Sequence, residues 1–212
     1  MPPSSFAVRW TGAPFSAILE AYNEAADDQK QAIQEVVIMN MALDILLSRR
    51  SCRAYEAGQI AEDALNDILK AGQYAPTGMG KQSPLMVAVQ DPETLARLER
   101  LNSTVLGNPE GHPFYGAPTA VVVFAASDAM LHIADANLVI GNLLNGAHAV
   151  GVDSCYIWRA REVFESEEGK ALKAAWGIPE EYIGAGNVIL GYGAPEGKRE
   201  AVPRKEDYVR RV

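Results

Sequence analysis

Positive charge is what this chain is short of. Its 212 residues carry 19 Lys and Arg against 27 Asp and Glu, a formal net charge of −8. That balance argues against nucleic acid and anionic membranes as partners, because both select a basic surface. No apolar run approaches the ~18–20 residues that a membrane-spanning helix needs. The start lacks a charged stretch followed by an apolar one, so no signal peptide is expected. Cysteine is scarce too: Cys52 and Cys155 lie far apart, in neither a metal-ligand nor a redox spacing. A reduced thiol protein of the cytoplasm is the expectation. What remains is ordinary globular material, 48% apolar and 22% charged, long enough for one generous domain with a real core.

Residues 1–14 are rich in Pro, Ser and Gly and read as a disordered lead. From Phe15 to Leu47 the apolar residues keep a helical spacing. A helix over 61–71 opens with Glu62 and Asp63 and closes at Gly72. Leu85–Val89 reads as a short buried strand and Pro92–Leu101 as a helix. Ala120–Ala125 is continuously apolar, the pattern of a strand buried on both faces. Met130–Val150 is a long apolar helix, Ser154–Trp158 a strand, Glu162–Trp176 an amphipathic helix, and Asn187–Leu190 the last strand. The tail from Gly193 is polar and without helical period. Helices alternating with short strands give an α/β or α+β class.

The codons of Gln34-Glu35-Val36 can read as a bacterial ribosome-binding sequence shortly before Met39. On that reading the natural start is Met39 or Met41, residues 1–38 are a partly helical extension, and 39–212 form the domain. A true N-terminal helix is the other reading.

The densest chemistry is Arg49-Arg50-Ser51-Cys52-Arg53, three guanidinium groups and a hydroxyl in an otherwise acidic chain. Helix-end cations facing the macrodipole, at roughly 0.3–1 kcal/mol each, account for one or two arginines. A third arginine beyond the helix end, with a serine between, suits a phosphate. Arginine presents a planar fork of donors, and hydrogen bonds to charged groups are worth roughly 1.5–3 kcal/mol each. A second segment, Ala75-Pro76-Thr77-Gly78-Met79-Gly80-Lys81-Gln82, follows a helix and carries two glycines and a proline. Its backbone can approach a flat ligand closely and donate amide N–H groups to it; a plain helix-to-strand turn is the simpler account.

Other signatures fail. Gly191-Tyr192-Gly193 follows a strand, but no full dinucleotide fingerprint or helix start follows it. Gly197-Lys198 precedes Arg199 and lacks the upstream glycine of a phosphate loop, where Tyr192 stands. His132 and Asp135 lie one helical turn apart without a third ligand, which favours a surface or packing role over a metal. His112 and His148 show no partner pattern. Cys52 sits among arginines, a setting that can lower a thiol pKa, yet it reads as a bystander.

The arginine cluster and the glycine loop, some twenty-five residues apart, resemble the FMN-dependent nitroreductase family. Further matches follow in order: Tyr115-Gly116-Ala117-Pro118 before the apolar strand, Asn137–Leu143 leading to Gly151–Arg159, and Ala185–Tyr192 before the basic Pro203-Arg204-Lys205. The resemblance spans about Met39 to Val212. It implies an α+β, three-layer fold with a central mixed, mainly antiparallel sheet flanked by helices, in an interlocked two-fold homodimer with FMN at the subunit interface. It places Arg49, Arg50, Ser51 and Arg53 at the FMN phosphate and ring edge, with Arg204 and Lys205 closing from the tail. Pro76, Thr77, Gly78 and Met79 of the other subunit would lie along the isoalloxazine, and Gln82 would fix that loop or touch the ring. Trp158 and Arg159 stand where the family sets backbone N–H groups near flavin N5, and Asn102 is a candidate for a pyrimidine-ring contact. Gly80 stands where the family often has Asn, and Ser83-Pro84 where it often has Pro-Trp, which leaves loop detail and substrate shape open.

The implied activity is transfer of hydride from NADH or NADPH to FMN and on to an electron-poor small-molecule acceptor, a nitroaromatic or quinone, in alternating turns at one cavity. No protein acid–base pair is required and no metal is expected. A non-catalytic flavin-binding or sensing protein, or a specialised flavin enzyme such as a dehalogenase on the same fold, are the alternatives, with Leu101–Phe114 as the variable wall.

Overall fold

The computed structural model describes Asn23, Lys30 and residues 41–212. Contacts divide the chain into one unit ending at Ser48 and a second spanning Arg49–Val212. In the first unit Asn23, Lys30 and residues 41–48 are helical. The rest of the helix expected over Phe15–Leu47, and the extension over 1–38 apart from Asn23 and Lys30, lie outside the described residues.

The second unit is built in three layers. Its elements in chain order are α1 (Glu62–Gln73), β1 (Leu85–Val89), α2 (Pro92–Leu106), β2 (Thr119–Ala126), α3 (His132–Ala149), β3 (Asp153–Ile157), α4 (Ala160–Glu165), α5 (Glu167–Ala175) and β4 (Tyr182–Gly191). The strands form one sheet in the order β1-β2-β4-β3, every neighbouring pair antiparallel. All eight residues of β2 are buried, as the unbroken apolar run that follows Thr119 requires. The period-2 alternation of a strand then feeds two cores. Val121, Val123 and Ala125 pack with Leu65 and Ile68 of α1 and Val139, Ile140 and Leu143 of α3. Ala120, Val122 and Phe124 pack with Leu98 and Leu101 of α2, Val163 and Phe164 of α4 and Leu172 of α5. Phe124 and Phe164 meet edge to face with ring centroids 4.8 Å apart, an arrangement aromatic quadrupoles favour.

The layers come close where side chains are smallest. A Cβ at Gly146 of α3 would stand 2.7 Å from the Ala71 methyl of α1, so this glycine sets how near the two helices lie. Asn142 then donates to the Ala71 carbonyl at 2.9 Å. Besides shifts at element ends, three features depart from the sequence reading. β1 buries only Val89, because it is an edge strand with a neighbour on one side. β4 begins at Tyr182, earlier than Asn187, because Gly184 and Gly186 pair with Phe124 and Val123 across a register shift. The helix expected over Glu162–Trp176 is two.

The break falls at Ser166, whose backbone is extended (φ −69°, ψ 156°) and whose hydroxyl accepts from Gly169 N at 3.0 Å. The same hydroxyl donates to the Val163 carbonyl at 2.6 Å. A serine that offers the backbone such local bonds competes with helix continuation, and apolar periodicity cannot register it, since both pieces keep the same buried face. The chain turns so tightly that a Cβ at Gly169 would collide with the Val163 carbonyl oxygen. Gly169→Ala is therefore expected to lower stability by about 1–3 kcal/mol, the cost of overpacking, read as a reduced urea midpoint at unchanged slope.

Candidate functional site

Backbone pairing, not helix structure, places the arginine cluster. Ser51 bridges Ser154 of β3 in parallel, Cys52 bridges Lys198, and Tyr55 bridges Gly193. Cys52 N donates to Ser154 O at 3.0 Å and Arg53 N to Gly197 O at 2.8 Å. The segment is thus threaded between edge strand β3 and the turn at 193–198. It supplies the sheet's one parallel contact among the described residues. Alternation along it buries Cys52 and leaves Arg53 exposed. Asp153 locks the turn, accepting from Gly193 N at 3.1 Å and pairing with Lys198 at 2.8 Å.

Cys52 is fully buried. Burial pushes its thiol up, with a backbone hydrogen bond at Ala54 opposing the rise and Asp153 adding to it. That direction is opposite to the lowering that neighbouring arginines can give a thiol. Tyr55 is pushed up as well, chiefly by burial.

Arg49 Nη1 is buried and has no hydrogen-bond partner among the described residues. Arg50 Nη1 donates to the Arg49 carbonyl at 2.8 Å. A buried donor left unsatisfied costs ~1–3 kcal/mol, more for a charged group; an anionic oxygen on Arg49 would remove that cost and gain a charge-assisted bond. Arg204 and Lys205 are exposed in the tail. Among the described residues neither side chain bonds to the arginine cluster.

The glycine loop is anchored from the opposite core. Gly78 N donates to both carboxylate oxygens of Asp135, at 3.0 and 3.2 Å, and Asp135 is 4% exposed. A Cβ at Gly78 would stand 2.7 Å from the Leu131 side chain, so the loop lies directly on the start of α3. Thr77 Oγ1 accepts from Gln82 N at 3.0 Å. Met79 and Gln82 both have positive φ, 55° and 50°, and Met79 is 80% exposed. Pro76, Thr77 and Gln82 line a cleft of about 770 Å³ with Tyr74, Met86 and Val139.

Trp158 and Arg159 follow β3 directly. Trp158 is 59% exposed, and Arg159 is left-handed at φ 78°, ψ 8°, an uncommon state for a residue with a Cβ. Asn102 of α2, 1% exposed, donates to Trp158 O and accepts from Arg159 Nε, each at 3.2 Å. Its amide thus bonds that turn through both its nitrogen and its oxygen.

Apart from Arg204 and Lys205 in the tail, the residues singled out from the sequence fall in two groups. Arg49–Arg53, Trp158, Arg159 and Asn102 flank β3, whereas Pro76–Gln82 lead into β1. These strands are the two edges of the sheet, three inter-strand steps apart, or ~14 Å at the usual spacing. Asp135 was missed as a functional residue. It stands four residues before Val139 and eight before Leu143 on the buried stripe of α3, and a carboxylate on such a stripe is the signal that finds it. His132 bonds the nearby Ala129 carbonyl at 2.7 Å, a packing role.

The family model described as "Nitroreductase family" matches residues 46–111. A nitroreductase from Bacteroides fragilis, solved with bound FMN, superposes with a TM-score of 0.74 and is 30% identical, over 81% of this chain and 98% of that one. A nitroreductase from Desulfitobacterium hafniense has a TM-score of 0.72 at 22% identity, over 81% and 98%. A protein of Archaeoglobus fulgidus, provisionally named NADH dehydrogenase/NAD(P)H nitroreductase, is 29% identical over 73% of this chain and 86% of its own.

Asp135→Ala removes the only side chain that bonds Gly78 N among the described residues. It is expected to lower stability by about 1–3 kcal/mol, and amide exchange of Gly78 should rise more than that of the α3 interior.

Proposed function

From the premise that this chain belongs to the nitroreductase family, we propose that it is an FMN-dependent oxidoreductase. It takes hydride from NADH or NADPH and reduces an electron-poor small molecule such as a nitroaromatic or a quinone. The observation that carries the cofactor assignment is the Nη1 of Arg49, buried in a cluster of arginines and without a hydrogen-bond partner among the described residues. Arg49, Arg50, Ser51 and Arg53 hold the phosphate, and Arg204 with Lys205 closes over it from the tail. The peptide N–H groups of Trp158 and Arg159 face the reactive edge. Bound FMN supplies the hydride chemistry at its N5; the residues around it bind, orient and stabilise charge.

The active form is a homodimer in this reading. One chain carries the phosphate group of residues and the Pro76–Gln82 loop at opposite sheet edges, so a single cofactor is served by the loop of a second copy. Pro76, Thr77, Gly78 and Met79 of that copy lie along the ring, with Gln82 fixing the loop through Thr77. Donor and acceptor use one open face in turn, which gives ping-pong kinetics. No side chain is needed as a general base, because the donor delivers hydride directly.

Freshly purified protein is expected to be yellow, to bleach anaerobically on NADH or NADPH, and to recover its colour on adding a quinone or nitroaromatic. A protein that binds FMN but is not bleached is a flavin-binding protein without turnover. Arg53→Ala and Arg204→Ala are each expected to weaken FMN at least about tenfold, the worth of a charged hydrogen bond, in a fluorescence titration. Unchanged titrations in both would refute the phosphate assignment.

A further inference from the structure

Two buried asparagines meet the end of β3. Asn187 of β4, 2% exposed, donates to Ile157 O at 3.1 Å. Asn102, 1% exposed, donates to the next carbonyl, Trp158 O, at 3.2 Å. A trans peptide is planar, with its N–H directed opposite to its C=O. Fixing the Ile157 carbonyl therefore aims the Trp158 N–H away from Asn187, and fixing the Trp158 carbonyl aims the Arg159 N–H away from Asn102. Neither N–H has an acceptor among the described residues. Consecutive peptide donors are thus held outward by side chains that no solvent reaches. The geometry has a local cost, because Arg159 sits in the left-handed region where a Cβ is disfavoured. Asn102 offsets part of it by also accepting from Arg159 Nε at 3.2 Å.

We propose that Asn102 is a positioning residue: with Asn187 it orients the Trp158 and Arg159 peptides so that their N–H groups form a preset pair of donors for the reactive edge of the flavin. It touches no cofactor itself. This rests on the flavin reading above. Donors fixed before the ligand arrives need no reorganisation when charge develops beside them, and that is what distinguishes this turn from one that adapts on binding. The expected ring contact of Asn102 is replaced by this indirect role.

Hydrogen–deuterium exchange with and without FMN tests it. In the wild-type protein FMN should slow the Trp158 and Arg159 amides about tenfold, the equivalent of one well-made hydrogen bond. In Asn102→Ala that slowing should largely vanish, while FMN still slows the amides of Arg49–Arg53 and those of Ser154–Tyr156 exchange as in the wild type. Asn102→Asp guards against misfolding. It keeps the shape and the acceptor for Arg159 but sets an oxygen against the Trp158 carbonyl, so the same selective loss is expected. Placing glycine at 159, Arg159→Gly, in the Asn102→Ala background should restore part of the protection, since glycine takes the left-handed state freely. Full protection in both Asn102 variants would overturn the positioning role alone. A wild-type protein that takes up no FMN would overturn the flavin reading and this proposal with it.

Discussion

A strand buried on both faces cannot turn its backbone to water, and β2 is such a strand. Its peptide groups are satisfied through β1 on one side and β4 on the other. That requirement, together with the burial of its side chains in two separate cores, fixes where everything else sits. β1 and β3 become the edges. The two edges receive the two loops that carry chemistry, one leading into β1 from α1 and the other leaving β3 toward α4.

The edges are finished differently. β3 takes an added partner, the segment around Ser51 and Cys52, through a parallel bridge and the hydrogen bond from Cys52 N to Ser154 O. An open edge is thereby covered, and the same contact leaves Arg53 exposed while Cys52 becomes core. β1 gains instead a rigid approach. Its preceding loop is tied to α3 by a buried carboxylate and cross-braced by Thr77 Oγ1. Both loops hold non-glycine residues at positive φ, Met79 and Gln82 in one and Arg159 in the other. Strain of that kind persists only where surrounding contacts over-determine it, and Asp135 and Asn102 are those contacts.

Much of this was legible in the chain itself. The apolar strand over Ala120–Ala125, the helices of α1 and α3 and the short β1 and β3 follow from period and composition, and the observed bounds differ by a few residues. Ser166 was not legible, because a capping serine in the middle of an amphipathic pattern leaves that pattern intact. Asp135 was seen but read only against metal binding. Its partner is a backbone N–H fifty-seven residues away in sequence, and no spacing rule joins a side chain to a distant peptide. Asn102 was noticed only for a ring contact, and its bonds to Trp158 and Arg159 span fifty-six and fifty-seven residues.

The sequence by itself determined which residues are apolar at which period, and hence the layers, and it displayed the arginine cluster and the glycine loop as local motifs. Only the tertiary structure decided that these motifs lie on opposite edges of one sheet, that Arg49 keeps a buried nitrogen without a partner among the described residues, and that two asparagines bond consecutive carbonyls at the end of β3. The physical reason is range. Periodicity and turn chemistry act between neighbours along the chain, whereas desolvation and the direction of a peptide N–H depend on what folding brings alongside.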